Sequence, residues 1–497
     1  MQGTVIVIVT VYLLVMLSVG YLAFRRMKSS TDFMLFGRRM GPLLIGASLA
    51  ATEIGIGATL GVVENASNLG ASRWGLSAVW YILTMGIAFM VISLFAPKLR
   101  KAGVKTVPEY FRRRYGDFAG VFTSITMLLP MIGFTAGQFM ATAAVFSILF
   151  GTSWAISLLI AGSVITACSV MGGMRGVAVT NFIQIILIVL GIFLTLPFAV
   201  NFAGGWSQIR ANVSLESLDL FKGIGGPQAI IALSVMYLAS FTVGQEVVSR
   251  YYSASDGKAA RRGSMIAALI NGIYAFIPAV LGIIILAIVK TGQIDKDFIL
   301  MQGSLYSLPV LAVFTMPAFV VGLLFVGIIS ATMSSAESDL LAAGSIFSHD
   351  IWKRYIRKEA REHEMLLVTR SAMIVVGIFS VLIALEAASI MDLLVFSFTL
   401  RAAGAFFPYV LGHYWKKAST AGAVASLLVG SLVSIVFERH LIPDLTFFGW
   451  ERQPVIPGLV FACTAFVGFS LLFPPRRETT EFLAHYPKRT FSEDSDF

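Results

Sequence analysis

The stretch Gly41-Pro-Leu-Leu-Ile-Gly-Ala-Ser-Leu-Ala-Ala-Thr-Glu-Ile-Gly-Ile-Gly-Ala-Thr-Leu-Gly61 reads as a membrane span that cannot stay one helix. It is apolar enough to sit in hydrocarbon, yet it carries glycines at 55, 57 and 61 and a carboxylate, Glu53, near mid-depth. Each interior glycine weakens a helix by about 1 kcal/mol relative to alanine, so a break is expected near 52–57. Broken backbone at membrane depth survives only where it lines a cavity or a binding site. Glycines alone would equally suit close helix packing. The acid tips the balance to function, because an ionisable group at that depth costs roughly 3 kcal/mol.

Outward from this stretch, apolar runs of span length recur to both ends. They cover 3–24, 41–64, 74–97, 119–150, 154–173, 178–204, 228–249, 263–290, 308–349, 366–387, 389–413, 418–437 and 455–474, about thirteen helices. Each is long enough to cross about 30 Å of hydrocarbon. The whole chain is 57% apolar and 13% charged, with a mean hydropathy of +0.83, where soluble domains carry about 25% charged residues. The expected class is an all-α integral membrane protein. The first span has no basic residue before it and no small-residue cleavage pattern, so it is read as a retained helix.

The net charge of +10 does not indicate a nucleic-acid partner, because the bases sit in short segments between spans. With the N-terminus outside, 28 of the 37 Lys and Arg fall in cytoplasmic segments, as the positive-inside rule requires. The expected location is the cell membrane, the bacterial inner membrane, with many passes and a cytoplasmic C-terminal tail at 476–497. The expected partners are a small-molecule solute and membrane lipid, with no obligate protein partner. Cys168 and Cys463 both lie in apolar spans, so no disulfide framework is expected.

The ninth span contains Ile329-Ser-Ala-Thr-Met-Ser-Ser-Ala-Glu-Ser-Asp339. Ala331, Ser334 and Ser335 are spaced i, i+3 and i+4 and share one helical face. Two hydroxyls and a carbonyl on one face suit a small hard cation, which prefers oxygen ligands. Carbonyls freed by the break in the second span, at Ala51 and Ile54, would complete the shell. The competing reading is serines bonding back to the preceding turn.

Several motifs in order carry a resemblance. They are Thr106-Val-Pro-Glu-Tyr-Phe-Arg-Arg-Arg-Tyr115, Gly172-Gly-Met-Arg-Gly-Val-Ala-Val-Thr-Asn-Phe-Ile-Gln184, Gly244-Gln-Glu-Val-Val-Ser-Arg250, and Ser334-Ser335 with Ser345-Ile-Phe-Ser-His-Asp-Ile-Trp-Lys353. Together they resemble the sodium:solute symporter family over about residues 3–474. The resemblance implies a LeuT-like fold with discontinuous helices, in one transporter domain over 1–475. Two inverted five-helix repeats would cover 41–204 and 228–413, with peripheral helices at 3–24 and within 418–474. It also implies Na+ as the coupling ion, held by the carbonyls of Ala51 and Ile54 and by Ala331, Ser334 and Ser335. The family commonly has Asp after Thr in the Gly-Gly motif, on the ion's exit path; here Thr180 is followed by Asn181.

Locally, Ala51-Thr-Glu-Ile-Gly-Ile-Gly57 and Met333-Ser-Ser-Ala-Glu-Ser338 resemble choline carriers. Glu53, Ala141 or Thr142, and Gly244 stand where those carriers place aromatics, so the cage that a quaternary ammonium needs is missing. Glu53 has three open readings: partner of a substrate ammonium, neighbour of the sodium ion, or proton carrier. Further candidate pocket residues are Thr52, Gln138, Tyr237, Ser240, Phe241 and Gln245. Glu246, Glu337 and Asp339 are expected at gates, pairing with Arg250 or nearby bases, and Arg401 on a substrate carboxylate or a lipid phosphate. No histidine, cysteine and carboxylate constellation suggests an enzyme. The expected function is sodium-coupled symport of a small organic solute, an amine or zwitterionic amino-acid-like compound. The alternatives are a proton-coupled or uncoupled carrier of the same fold, or a sodium/monocarboxylate symporter.

Overall fold

Glycine and proline placement decides how these apolar runs divide into helices. A computed structural model describes residues 2–25, 29–70, 73–387, 390–438, 441 and 454–475. The acidic tail in 476–497 lies outside the described residues.

The first helix is α1 (Gln2–Arg25). The second span is α2 (Pro42–Glu53) followed by α3 (Gly57–Ala66), bent by 65° at the break between them. Pro42 starts α2 in its first turn, where a missing N–H costs nothing. Then come α4 (Gly75–Ile92), the short α5 (Val107–Tyr115), α6 (Asp117–Phe150) and α7 (Trp154–Phe193). The middle of the chain forms α8 (Thr195–Phe202), α9 (Gly226–Val243), α10 (Gln245–Ser253), α11 (Gly257–Tyr274) and α12 (Phe276–Lys290). The rest is α13 (Ser307–Thr315), α14 (Ala318–Ile346), α15 (Glu362–Glu386), α16 (Ile390–Gly412), α17 (Thr420–Glu438) and α18 (Val455–Leu472). A wider π-helical coil over Phe347–Ile356 continues α14.

Among the described residues ten helical segments are long and apolar enough to cross a membrane, or eleven with the bent pair. The sequence reading has about thirteen, and the difference lies in two places. It divides 154–204 into two spans, and Gly173 between them is non-helical, at φ 51° and ψ −168°, so the run counted as one segment is two helices across a kink. Forty residues of straight helix would reach about 60 Å, twice the hydrocarbon thickness. Gly20 of α1 lies against Cys168 and Met171, and Ala23 against Gly176, so both flanks of Gly173 meet the same end of α1 and the chain turns there. The second place is α16, a 23-residue helix outside those ten.

Two breaks matter for the site. One separates α2 from α3. The other separates α9 from α10 at Gly244, whose ψ of 118° ends the helix. The sequence reading argues only the first from its glycines. The long ninth span does carry a short preceding helix, α13, ended by extended backbone at Met316.

Candidate functional site

At Ile54, φ −79° and ψ 65° end α2, and backbone groups that a continuous helix would pair are left free. Gln138 of α6 meets one of them: its Oε1 accepts from the Ile56 N–H at 3.2 Å. From α14, the Ser334 hydroxyl donates to the Ala51 carbonyl at 2.6 Å and the Ser335 hydroxyl to the Thr52 carbonyl at 2.6 Å. Both hydroxyls also stand 2.9 and 3.1 Å from the Ala331 carbonyl. A hydroxyl has one proton, so neither can serve both neighbours at once. Five uncharged oxygens, from Ala51, Thr52, Ala331, Ser334 and Ser335, therefore converge where the broken helix meets α14. That donor set fits a small hard cation. Ala51, Ala331, Ser334 and Ser335 meet as the sequence predicts. The second backbone carbonyl reached by a serine is that of Thr52; Ile54, whose carbonyl the sequence also offers to the ion, is the residue at which the helix ends.

Beside this seat lies a small cavity. Thr52, Glu53, Gly55, Gly57 and Ala58 from the break form one wall, and Ser335 and Asp339 another. Tyr81, Met85, Phe134, Gln138, Glu246, Leu394 and Phe398 close it. Ser335 thus belongs to the cation seat and to the cavity. Gly55 is required by close approach, since a Cβ there would sit 2.8 Å from both the Gln138 amide nitrogen and the Ser335 hydroxyl.

Glu246 and Asp339 line this cavity. Glu246 reaches it because the break at Gly244 turns α10 inward, and Asp339 because it lies one helical turn from Ser335 on the same face. Of the two partners expected for Arg401, burial removes the lipid phosphate. Arg401 is buried, donates to Glu246 in an ion pair, and donates to the Ser240 hydroxyl at 2.7 and 2.9 Å. Its guanidinium stands 4.8 Å from the Phe134 ring centre and 5.5 Å from that of Phe398, so it meets protein, not lipid. Arg250 does not pair with the Glu246 carboxylate. It donates to the Glu246 carbonyl and to the hydroxyls of Ser48, Thr52 and Ser338, the last two at 3.1 and 2.5 Å. Glu337 faces Thr180, whose hydroxyl donates to it at 3.1 Å.

Of the remaining predicted residues, Asn181 donates to the hydroxyls of Ser48 at 3.0 Å and Thr52 at 3.2 Å, next to the cation seat. Tyr237 and Phe241 stand one layer behind the cavity, Tyr237 against Tyr81 and Phe398, Phe241 against Phe89. Ser240 is taken by Arg401. Gln245 does not line the cavity; its amide bonds the backbone of Lys105 and Val107, because the first residue after the break faces the segment leading into α5. The sequence reading missed the Arg401–Glu246 pair, for which no spacing signal exists, since the two residues are 155 apart.

A second polar cluster ties α5 to the end of α14. Thr106 caps α5 and donates to Asp350 at 2.6 Å, and Arg112 stands 3.3 Å from the same carboxylate. Glu109 accepts from the Lys105 N–H at 2.7 Å, pairs with Arg113, and lies 3.3 Å from His349. Burial works against ionisation of Glu109, but His349, Arg113 and the Lys105 N–H outweigh it and hold the carboxyl down at about 2.

Residues 33–430 match the model of the sodium:solute symporter family. The chain is 27% identical to the sodium/proline symporter of Escherichia coli, covering 93% of this chain and 92% of that one. It is 27% identical to the high-affinity choline transporter 1 of Caenorhabditis elegans, over 89% of this chain and 79% of that one. Among solved structures, a substrate-bound, outward-open Na+-coupled sialic acid symporter superposes with a TM-score of 0.79 at 22% identity, covering 96% of this chain and 99% of that one. The fold is therefore LeuT-like, the class is transporter rather than enzyme, and Na+ is the coupling ion. A match over most of the length, joined to a broken helix that shares its carbonyls with paired serines, places this multi-pass membrane protein in the sodium:solute symporter family.

Proposed function

We propose that the chain moves a small organic amine or zwitterionic amino-acid-like solute together with Na+, by alternating access. The observation that carries this reading is Ser335. One hydroxyl lies in the oxygen cluster that suits the ion and in the wall of the cavity that suits the solute, so occupancy of one site alters the other. In this reading Ala51, Thr52, Ala331, Ser334 and Ser335 hold Na+, with Ile54 shaping the break. Glu53 faces the solute's ammonium, Gln138 braces the break, and Asn181 lies on the ion's exit path. The halves 41–204 and 228–413 act as the inverted repeats, with the N-terminus outside and the tail at 476–497 in the cytoplasm.

The test is uptake into proteoliposomes under an imposed sodium gradient. Labelled proline, choline and simple amines are the probes, each repeated with a proton gradient alone. The double substitution Ser334→Ala with Ser335→Ala is expected to abolish sodium stimulation. Unchanged sodium-stimulated uptake in that variant would remove the ion site, and uptake driven equally by protons would remove the sodium coupling of this solute.

A further inference from the structure

The cavity beside the cation seat has an unusual wall: each ionisable carboxylate or base that lines it is an acid, Glu53, Glu246 or Asp339. Neither guanidinium group nearby, of Arg250 or Arg401, is among its lining residues. Arg401 answers Glu246 directly. Arg250 is spent on hydroxyls and a carbonyl. Glu53 and Asp339 are left. Their residues are 9% and 5% exposed, both face the cavity, and among the described residues neither has a hydrogen-bond or ion-pair partner. They come from different helices, α2 and α14, and line one cavity, with Arg250 and Arg401 acting on them only from beyond salt-bridge distance. Burying a carboxylate without a direct partner is costly, and two on one small cavity compound that cost, which an entering positive group or a proton relieves.

We propose that Glu53 and Asp339 together form the seat for a positively charged nitrogen, and that the cargo is a small cationic amine carrying N–H donors. The inference rests on the cavity being the solute site, and it makes Asp339 a specificity-determining residue. A zwitterion fits the wall less well, because its carboxylate would face a third carboxylate, Glu246, whose partner Arg401 is already engaged. A quaternary ammonium offers no N–H to the pair and requires open ring faces. The guanidinium of Arg401 already occupies those of Phe134 and Phe398. Gly244 cannot be replaced by an aromatic without displacing that ion pair, since a Cβ there would lie 2.9 Å from the Arg401 guanidinium carbon.

The experiment is thermal unfolding of the purified full-length chain in detergent with saturating sodium chloride, titrated with four probes. Pyrrolidine and 1,4-diaminobutane are cations at neutral pH; proline is pyrrolidine with a carboxylate added; choline is the quaternary control. The two amines are expected to raise the midpoint, and proline and choline to act at least about tenfold more weakly. Asp339→Asn is expected to weaken the amine response by about tenfold or more, and Glu53→Gln likewise. Proline acting as strongly as pyrrolidine would overturn the inference, and so would an amine response unchanged in both variants. If a variant loses its sodium-induced shift and keeps the amine response, the pair serves the ion, which also overturns it. The wild-type series decides the matter even if the variants fail to fold. A wild-type chain that responds to sodium but to no amine sinks this inference alone; one that shows no sodium-induced shift sinks the symport reading beneath it.

Discussion

At the residue scale, the site depends on two serines and on the glycine opposite them. Ser334 and Ser335 each stand within 2.6 Å of a carbonyl on the broken helix. Losing one such neutral hydrogen bond costs about 1 kcal/mol of stability, so Ser335→Ala should fold. Its effect belongs in ion binding: the sodium concentration for half-maximal stabilisation should rise by about tenfold, read as a thermal midpoint titrated with sodium. Gly55→Ala acts from the other side. Its methyl would overlap Gln138 and Ser335, at an overpacking cost of about 1–3 kcal/mol. The expected result is a lower midpoint with loss of sodium-stimulated uptake. The glycines and serines of this site are legible in sequence, because glycine count and i, i+4 spacing are local facts. The contact of Ser335 with the Thr52 carbonyl is not, because it depends on the rotation of α14 against α2.

At the scale of elements, the turn at Gly173 and the joint between α5 and α14 are the places where single changes should propagate. Gly173 holds φ at 51°, and a Cβ there would lie 2.7 Å from the Phe33 ring. Backbone strain of about 1–3 kcal/mol adds to that overlap, so Gly173→Ala should lower the detergent midpoint more than Gly172→Ala, whose Cβ meets nothing closer than 3.7 Å. The Glu109 carboxyl is held near 2, below its ordinary value of 4.5. Its contribution is therefore fully present above about pH 4.5 and fades as pH falls towards 2. Glu109→Gln should destabilise by about 3 kcal/mol at neutral pH, the scale for removing one partner of a buried ion pair. The loss should shrink as the wild-type group protonates, which unfolding midpoints measured down to pH 3 would reveal. The Thr-x-x-Glu spacing over Thr106–Glu109 announces the start of α5. Its contact with Asp350, 244 residues away, has no local signal.

For the whole molecule, the prediction is linkage. An ion that binds the folded chain stabilises it by RT ln(1 + [L]/Kd), about 1.4 kcal/mol at ten times Kd. Sodium chloride should raise the midpoint while potassium chloride at equal ionic strength should not. Equal shifts with both salts would mean that the oxygen cluster is not selective for the ion.

The sequence alone determined the membrane class, because apolar runs of span length leave no other solution, and it located the break, because three glycines and an acid cannot lie in a continuous span at no cost. It also marked the oxygen-bearing stripe of α14, since helical periodicity fixes which side chains share a face. Only the tertiary structure decided which way each face points. Residues 318–346 are mostly buried around the helix, so apolar patterning gives no bearing on which neighbour Ser335 or Asp339 meets. The pairing of Arg401 with Glu246, and the placing of Glu53 and Asp339 on one cavity, follow from helix rotations set by packing between distant segments, and no local spacing encodes them.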